Sequence, residues 1–333
     1  MGFQSTDRER RVVDAFKALW SPSDTQTSAL VVGDRDRHLE GYLSQSVGQI
    51  GRWSRWMSGH VEGRAWPPGG DYDFATLRLP REKDTLRFCI ETIAAQLPAG
   101  ATLWVYGAND EGIKSVARHL SPLFDAVTHV GSKHHCRMWR GQRTHAPARA
   151  SLSEWTTQRP LTLPSGTREC QHLPGVFAKG ELDAATKLLL ESLDSEESPK
   201  NILDFACGGG VIGAELSARW PKAELSGLDA DAIALHVAAL NAPYSKLYLS
   251  DSWSSLQSQT YDLIVSNPPI HRGKSEDHQA LDSLIVHARA YLNPGGRLWL
   301  VGQRRLGLGR RLQGSLKGQC VKDDGRFQVW SAQ

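Results

Sequence analysis

Asn201-Ile202-Leu203-Asp204-Phe205 is an apolar strand pattern that runs directly into Ala206-Cys207-Gly208-Gly209-Gly210 and then into the apolar helix pattern of Val211 to Ala218. Strand, glycine turn and helix in that order restrict the chain to an open α/β sheet whose ligand sits beyond the carboxyl ends of the strands. Glycines without Cβ let the backbone approach a ligand, and the helix that follows supplies oriented N–H groups. A glycine turn alone also closes ordinary loops, so the reading depends on what comes after it.

Three further landmarks follow at strand ends. Glu224-Leu225-Ser226-Gly227-Leu228-Asp229 ends in a carboxylate about twenty-five residues after Asp204, where an acid can accept both ribose hydroxyl hydrogens. Leu247-Tyr248-Leu249-Ser250-Asp251 ends in another acid, suited to the adenine end of a nucleoside cofactor. The run Tyr261 to Val265 then leads into Ser266-Asn267-Pro268-Pro269-Ile270. An Asn carbonyl and the carbonyl of the following Pro can accept both hydrogens of a planar NH2 group and aim its nitrogen at an incoming methyl group. The two prolines fix φ and hold those acceptors in place. Singly, each landmark has a bland reading: a βα loop at Gly208 and Gly210, a helix cap at Asp229, a turn at Asp251. Their order at consecutive strand ends favours a cofactor cradle followed by an acceptor.

The plan occurs twice. In the second half, strand Asp262 to Val265 leads through Asn-Pro-Pro to a helix from Ser275 to Tyr291, the turn Leu292 to Gly296 and strand Arg297 to Gly302. In the first half, Asp73 to Pro80 leads to a helix from Lys83 to Gln96, the turn Leu97 to Gly100 and strand Ala101 to Gly107. The first copy has Arg78-Leu79-Pro80 in place of Asn267-Pro268-Pro269, and its early strand Ala29 to Asp34 lacks the glycine cluster. It therefore reads as a degenerate copy, kept for substrate binding or for support. The boundary falls between Arg140 and Leu163, where Gly141 to Ala150 is polar and linker-like; the expected domains are residues 1–150 and 151–333. After it, Cys170 to Asp183 can lie across the cofactor pocket with Phe177 as an apolar lid, or simply join a strand to the helix Ala184 to Leu193.

Composition excludes several classes. No run of eighteen apolar residues occurs and Met1 to Arg11 is polar, so a spanning helix or signal peptide is not expected and a cytoplasmic protein is. The five cysteines lack paired spacing, which argues for reduced thiols and against zinc; Lys133-His134-His135-Cys136 is the only metal-like cluster, and no metal is expected. Residues 1–150 hold 20 Lys+Arg against 16 Asp+Glu, an excess of +4, and interleave Arg52, Arg55, Arg64, Arg137, Arg140 and Arg143 with Trp53, Trp56, Trp66 and Trp139. Arginine clamps phosphate and aromatics stack on bases, so this is either an RNA-binding face or a solvated surface over core tryptophans.

The segments LPGVFAKGELD, NILDFACGGGVIG, YDLIVSNPPIHRG and GRFQVW, with the N-terminal GANDEGIKSV, together resemble the small-subunit ribosomal RNA methyltransferase C family over nearly the whole chain. The resemblance implies two tandem class I (Rossmann-like) methyltransferase-type domains, the N-terminal one degenerate. It implies S-adenosyl-L-methionine as cofactor and methylation of the exocyclic N2 of one guanine in 16S rRNA, within the small ribosomal subunit; a monomer is expected. The expected cofactor residues are Phe177, Asp204, Ala206, Gly208, Gly210, Asp229, Asp251 and Asn267, and the expected catalytic segment is Asn267, Pro268, Pro269 and Ile270. Two departures stand out. Ala206 replaces the family's first turn glycine, which is harmless provided its φ is negative. Ile270 replaces the usual aromatic and forgoes base stacking on the order of 1–3 kcal/mol. The rival readings are transfer to adenine N6 or to a protein glutamine amide, a nicotinamide dehydrogenase, which leaves Asn267-Pro268-Pro269 unexplained, and a non-catalytic assembly factor.

Overall fold

A computed structural model of the chain describes residues 7–22, 27–59, 61–177, 181–193, 198–269, 271–272, 275–276 and 278–333. The chain divides into two compact units, Met1–Thr156 and Thr157–Gln333.

The first unit runs α1 (Asp7–Leu19), β1 (Ser28–Val32), α2 (His38–Leu43), β2 (Gln49–Trp53), β3 (Phe74–Arg78), α3 (Lys83–Gln96), β4 (Thr102–Ala108), α4 (Ala117–Leu120), β5 (Phe124–Lys133) and β6 (Cys136–Arg143). Its six-stranded sheet has the order β2-β1-β3-β4-β6-β5. The first four of these are parallel, while β6 pairs antiparallel with both β4 and β5. Strand β1, Ser-Ala-Leu-Val-Val, is buried at every position, as a strand covered on both faces must be. Val12, Val13 and Phe16 of α1 pack on Ala29, Val31, Phe74 and Tyr106, with Phe16 meeting Tyr106 edge to face at 5.0 Å between ring centroids.

The second unit begins with the hairpin β7 (Thr157–Leu163) and β8 (Gly166–His172), then α5 (Ala184–Ser192), β9 (Asn201–Phe205), α6 (Val211–Arg219), β10 (Glu224–Asp229), α7 (Ala232–Asn241), β11 (Lys246–Leu249) and β12 (Tyr261–Ser266). It ends with the two-residue ladder β13 (His271–Arg272) and β14 (Ser275–Glu276), α8 (Gln279–Ala288), β15 (Leu292–Gln303), α9 (Leu308–Leu312), β16 (Gly318–Asp323) and β17 (Phe327–Ala332). The seven-stranded sheet has the order β11-β10-β9-β12-β15-β17-β16. Helices α5 and α6 cover one face through Leu189, Leu190, Ile212 and Leu216; α8 and α9 cover the other through Leu281, Leu284, Leu308 and Leu312. The first unit repeats this order without a counterpart of β11.

Several sequence expectations shift. The helix expected over Ser275 to Tyr291 begins only at Gln279 and tightens into a 3-10 turn at Arg289–Tyr291, because Ser275–Glu276 pair as β14. The turn Leu292 to Gly296 is a bulge inside β15: the register to β12 jumps between Tyr261/Leu292 and Leu263/Arg297, and Asn293 donates to Asp262 Oδ1 at 2.7 Å. Gly141 to Arg143 belongs to β6 and is no linker. Arg143 is buried and donates to the carbonyls of Ala94, Leu123, Thr144 and Ala146, so it serves the core. Trp53 is 2% exposed and packs on Trp66 and Phe88, and Arg52 pairs with Glu40. Part of the arginine–tryptophan pattern is thus spent inside the unit. His134 and His135 form the β5–β6 turn, both at positive φ.

Candidate active site

Strand β9 hands over to the glycine turn at Phe205, and Ala206 follows with φ of 59°. The negative φ expected there is not found. The chain reverses from β9 toward α6 through a series of left-handed residues, with Gly208 at 53° and Gly210 at 79°. A Cβ in this region costs about 1–2 kcal/mol, so Ala206 is held there by its surroundings: Cys207 N–H donates to the Leu228 carbonyl at 3.0 Å and Gly208 N–H to Asp229 Oδ2 at 2.8 Å. A Cβ on Gly208 would meet nothing within 4 Å, so this residue borders open space. On Gly210 it would lie 2.8 Å from Ala238 Cα, so the turn closes on α7 only without a side chain.

Beneath the turn, Asp204 is fully buried. Its Oδ2 accepts from Gly213 N–H at 3.0 Å and from the Tyr244 hydroxyl at 2.7 Å, while Oδ1 is buried without a hydrogen-bond partner among the described residues. Burial pushes its carboxyl up to about 7 against the pull of those two donors, with nearby Asp229 adding to the rise. Tyr244 reaches Asp204 because Gly213 leaves room; a Cβ there would lie 2.1 Å from the phenol oxygen. Asn241 fastens the turn to β8, donating to the carbonyls of Gly209 and Gln171 and accepting from Gln171 N–H at 2.7 Å.

Asp229 also accepts from Asp231 N–H at 2.9 Å, so the acid expected at the ribose doubles as the clamp of the glycine turn. Asp251 is exposed two residues beyond the end of β11. Val176 is the side chain against the turn, 3.0 Å from a Cβ built on Gly209, and the adjacent Phe177 is 68% exposed. An exposed phenylalanine next to the turn is compatible with a lid that gains cover only from a ligand.

Ser266 pairs with Phe205 and donates its hydroxyl to the Phe205 carbonyl at 2.7 Å, tying the ends of β12 and β9 together. The next residues on these strands, Asn267 and Ala206, therefore emerge side by side, about 5 Å apart by strand spacing. Asn267 Nδ2 donates to Thr186 Oγ1 at 2.9 Å and faces Asp183 Oδ2 at 3.5 Å. Asp183 meanwhile caps α5, its Oδ1 accepting from Ala185 and Thr186 N–H at 3.1 and 3.3 Å. Its nitrogen is thus committed to α5, and among the described residues no donor reaches its Oδ1. Pro268 is buried and Pro269 exposed. Ile270 lies outside the described residues.

Comparison with known proteins agrees with this architecture. The "Methyltransferase small domain" family matches residues 168–331, and "Methyltransferase small domain N-terminal" matches residues 42–159. Ribosomal RNA small subunit methyltransferase C of Pseudomonas syringae pv. syringae is 34% identical over 83% of this chain and 83% of its own length. The protein of that name from Pseudomonas syringae pv. tomato is 32% identical over 94% of this chain and 97% of its own. The chain belongs to the ribosomal RNA small subunit methyltransferase C family. In fold it is similar to a T. thermophilus 16S rRNA N2 G1207 methyltransferase solved in complex with AdoMet and guanosine, with a TM-score of 0.84 and 21% identity over 97% of this chain and 91% of that one. Both units are accordingly Rossmann-like methyltransferase domains, the first a degenerate copy.

The register gives the physical form of that degeneracy in this member of the methyltransferase C family. Val32 pairs with Leu77 as Phe205 pairs with Ser266, so Gly33 and Arg78 correspond to Ala206 and Asn267. Gly33 keeps a positive φ of 80°, but Arg78 puts a guanidinium where the second unit has an amide. That guanidinium is bound by Glu9 at 2.9 Å and Glu111 at 2.8 Å, and the Glu111 side chain is 2% exposed. Asp34, buried after β1, spends its carboxylate on the Glu40 N–H of α2. The strand ends that carry an acceptor and a turn in the second unit carry ion pairs in the first.

Asp183, Thr186, Asn241 and Tyr244 are site residues that sequence reasoning missed. Only Asp183 left a local signal, an aspartate ahead of an apolar helix pattern.

Proposed function

We propose that this chain transfers a methyl group from S-adenosyl-L-methionine to the exocyclic N2 of a guanine in 16S rRNA, with the second unit catalytic and the first supporting substrate binding. The observation that carries this reading is the Asn267 amide at the end of β12, whose nitrogen is tied to Thr186 while no donor among the described residues reaches its Oδ1. The methyltransferase C relatives, matched over most of their length, support the choice of substrate.

The residues present suit the cofactor. Gly208 borders open space, Asp204 Oδ1 is a buried acceptor lacking a partner, and Asp229 and Asp251 stand at the next two strand ends. In this reading Asp204, Ala206, Gly208, Gly210, Asp229, Asp251 and Asn267 hold S-adenosylmethionine, with Phe177 covering it. The bound cofactor would supply a methyl group already activated by a sulfonium and leave as the neutral thioether; the methylated amino group is then strongly acidic and gives up one proton to water, so the protein needs no strong base. Asn267 Oδ1 and the Pro268 carbonyl accept the two hydrogens of the guanine amino group, hold its nitrogen in line and draw its lone pair out of conjugation. Pro269 keeps the segment rigid. The guanine must leave its stack to enter, at a cost of about a few kcal/mol offset by contacts elsewhere on the RNA. Assembled small subunits are the proposed substrate, met in the cytoplasm by a monomer.

Tritium transfer from labelled cofactor to small subunits, naked 16S rRNA and a glutamine-containing peptide tests this. Label should appear on guanine N2 of RNA, and Asn267→Ala should abolish it while calorimetry finds cofactor affinity within about twofold. Label on the peptide alone would overturn the assignment; cofactor binding without any transfer would favour an assembly factor.

A further inference from the structure

Charge in the second unit is sharply segregated. Residues 297–333 hold 8 Lys+Arg (Arg297, Arg304, Arg305, Arg310, Arg311, Lys317, Lys322, Arg326) against Asp323 and Asp324, a balance of 8 − 2 = +6. The whole chain has 39 Lys+Arg and 36 Asp+Glu, so residues 1–296 hold 31 against 34 and balance at −3. The positive formal charge of the protein thus resides in its last 37 residues.

The fold displays part of that charge at one place. Strand β12 ends at Ser266 opposite Leu300, so β15, running on to Gln303, leaves the sheet on the same edge as Asn267. Arg304, Arg305 and Leu306 follow as a 3-10 turn in which Leu306 is buried and both arginines are exposed. Strand β17 enters at this edge with Gln303 opposite Phe327, and Arg304 N–H donates to the Arg326 carbonyl at 2.9 Å, which brings exposed Arg326 alongside. Helix α9 buries Leu308 and Leu312 and turns Arg310 outward. Among the described residues the acids nearby are Asp323, 3.8 Å from Arg304, whose side chain stays 61% exposed, Asp324, which accepts from the Arg326 N–H, and Asp282, which pairs with Arg311; Arg305 donates to Gln303 Oε1. Along the same edge, at the ends of β10 and β11, stand Asp229 and the exposed Asp251 instead. An anionic strand meets repulsion on that side of Asn267 and attraction on the other.

We propose that Arg304, Arg305 and Arg326, flanked by Arg310, form the surface that docks the RNA phosphates around the target guanine. The chemistry fits a polyanion rather than a single phosphate, since the guanidiniums are spread along a turn, a strand start and a helix. Their backbone is held by buried leucines and by the β15–β17 ladder, so docking would not require that segment to order. This rests on the reading above that the substrate is RNA.

The test compares the full-length protein with Arg304→Ala/Arg305→Ala/Arg326→Ala and with the corresponding triple lysine variant. Binding to small ribosomal subunits, and to 16S rRNA, is measured across a potassium chloride series, with S-adenosylmethionine affinity measured in parallel. Each lost phosphate contact lowers the slope of log K against log salt by about 0.7–0.9. The alanine variant should show a slope reduced by about 2–3 and binding weakened at least tenfold near 0.1 M salt, with cofactor affinity unchanged and the lysine variant near the wild type. An unchanged slope in the alanine variant overturns the docking surface while leaving the activity intact. Loss of cofactor binding, or failure of lysine to restore the slope, also overturns it, because the arginines would then be structural. A wild type that neither binds nor methylates small subunits or 16S rRNA instead overturns the proposed function.

Discussion

Asn267 and Thr186, 81 residues apart in sequence, meet through a 2.9 Å hydrogen bond that uses the amide nitrogen of the one and the hydroxyl of the other. The bond sets which end of the amide faces the strand edge. Thr186 is thereby a positioning residue, and Asp183 supports it by capping the same helix and facing the same nitrogen.

Thr186→Val keeps the shape of the side chain and removes the acceptor. One neutral hydrogen bond contributes about 0.5–1.5 kcal/mol, so the single-turnover rate of methyl transfer should fall about 3- to 10-fold. Cofactor affinity by calorimetry should stay constant, and Thr186→Ser should recover the rate. Equal loss of rate and cofactor affinity would indicate a structural role.

Ala206→Gly relieves the left-handed alanine. The strain relieved is about 1–2 kcal/mol, and the added freedom of glycine in the unfolded chain returns about 0.4–1 kcal/mol of it. Relief wins, and the variant should be more stable by about 0.5–1 kcal/mol. A higher urea midpoint at unchanged m-value is the expected result; a lower midpoint would mean that the turn does not strain this residue.

The Asp204 carboxyl, raised from an ordinary value near 3.8 to about 7, makes stability depend on pH. Between those values the folded chain binds a proton that the unfolded chain has released. This group therefore lowers stability as pH rises from about 4 to about 7 and adds no further slope above. Asp204→Asn should remove this component. Tyr244→Phe deletes a donor to the carboxylate and should carry the decline to higher pH. Urea unfolding at pH 5, 6.5 and 8 reads both effects.

Arg78→Met should destabilise the first unit by about 1.5–3 kcal/mol, because the buried Glu111 carboxylate loses its nearest cation and keeps Arg8 and Arg81 at 3.6 and 3.8 Å. Adding Glu111→Gln should return a large part of the loss. Hydrogen exchange at the amides of β3 and β4 measures this within the intact chain; single and double variants with equal protection would mean that the ion pair contributes little there.

Much of the architecture is local and therefore legible without coordinates. Apolar runs ending at Phe205, Asp229 and Ser266 mark strand ends because burial and turn chemistry act on neighbours in sequence. The helix expected over Lys83 to Gln96 is found with those bounds, and the doubled plan was visible because the same strand, helix and turn patterns recur. What the chain alone did not disclose depends on residues far apart along it. The sign of φ at Ala206 follows from the closure of the turn on Asp229 and α7. The direction of the Asn267 amide follows from Thr186, the reach of Tyr244 to Asp204 from the absence of a side chain at Gly213, and the plugging of the first unit from Glu9 and Glu111 converging on Arg78. A hydrogen bond or ion pair of that kind has no periodicity and no required spacing. Packing brings its partners together, so only the tertiary structure could decide it.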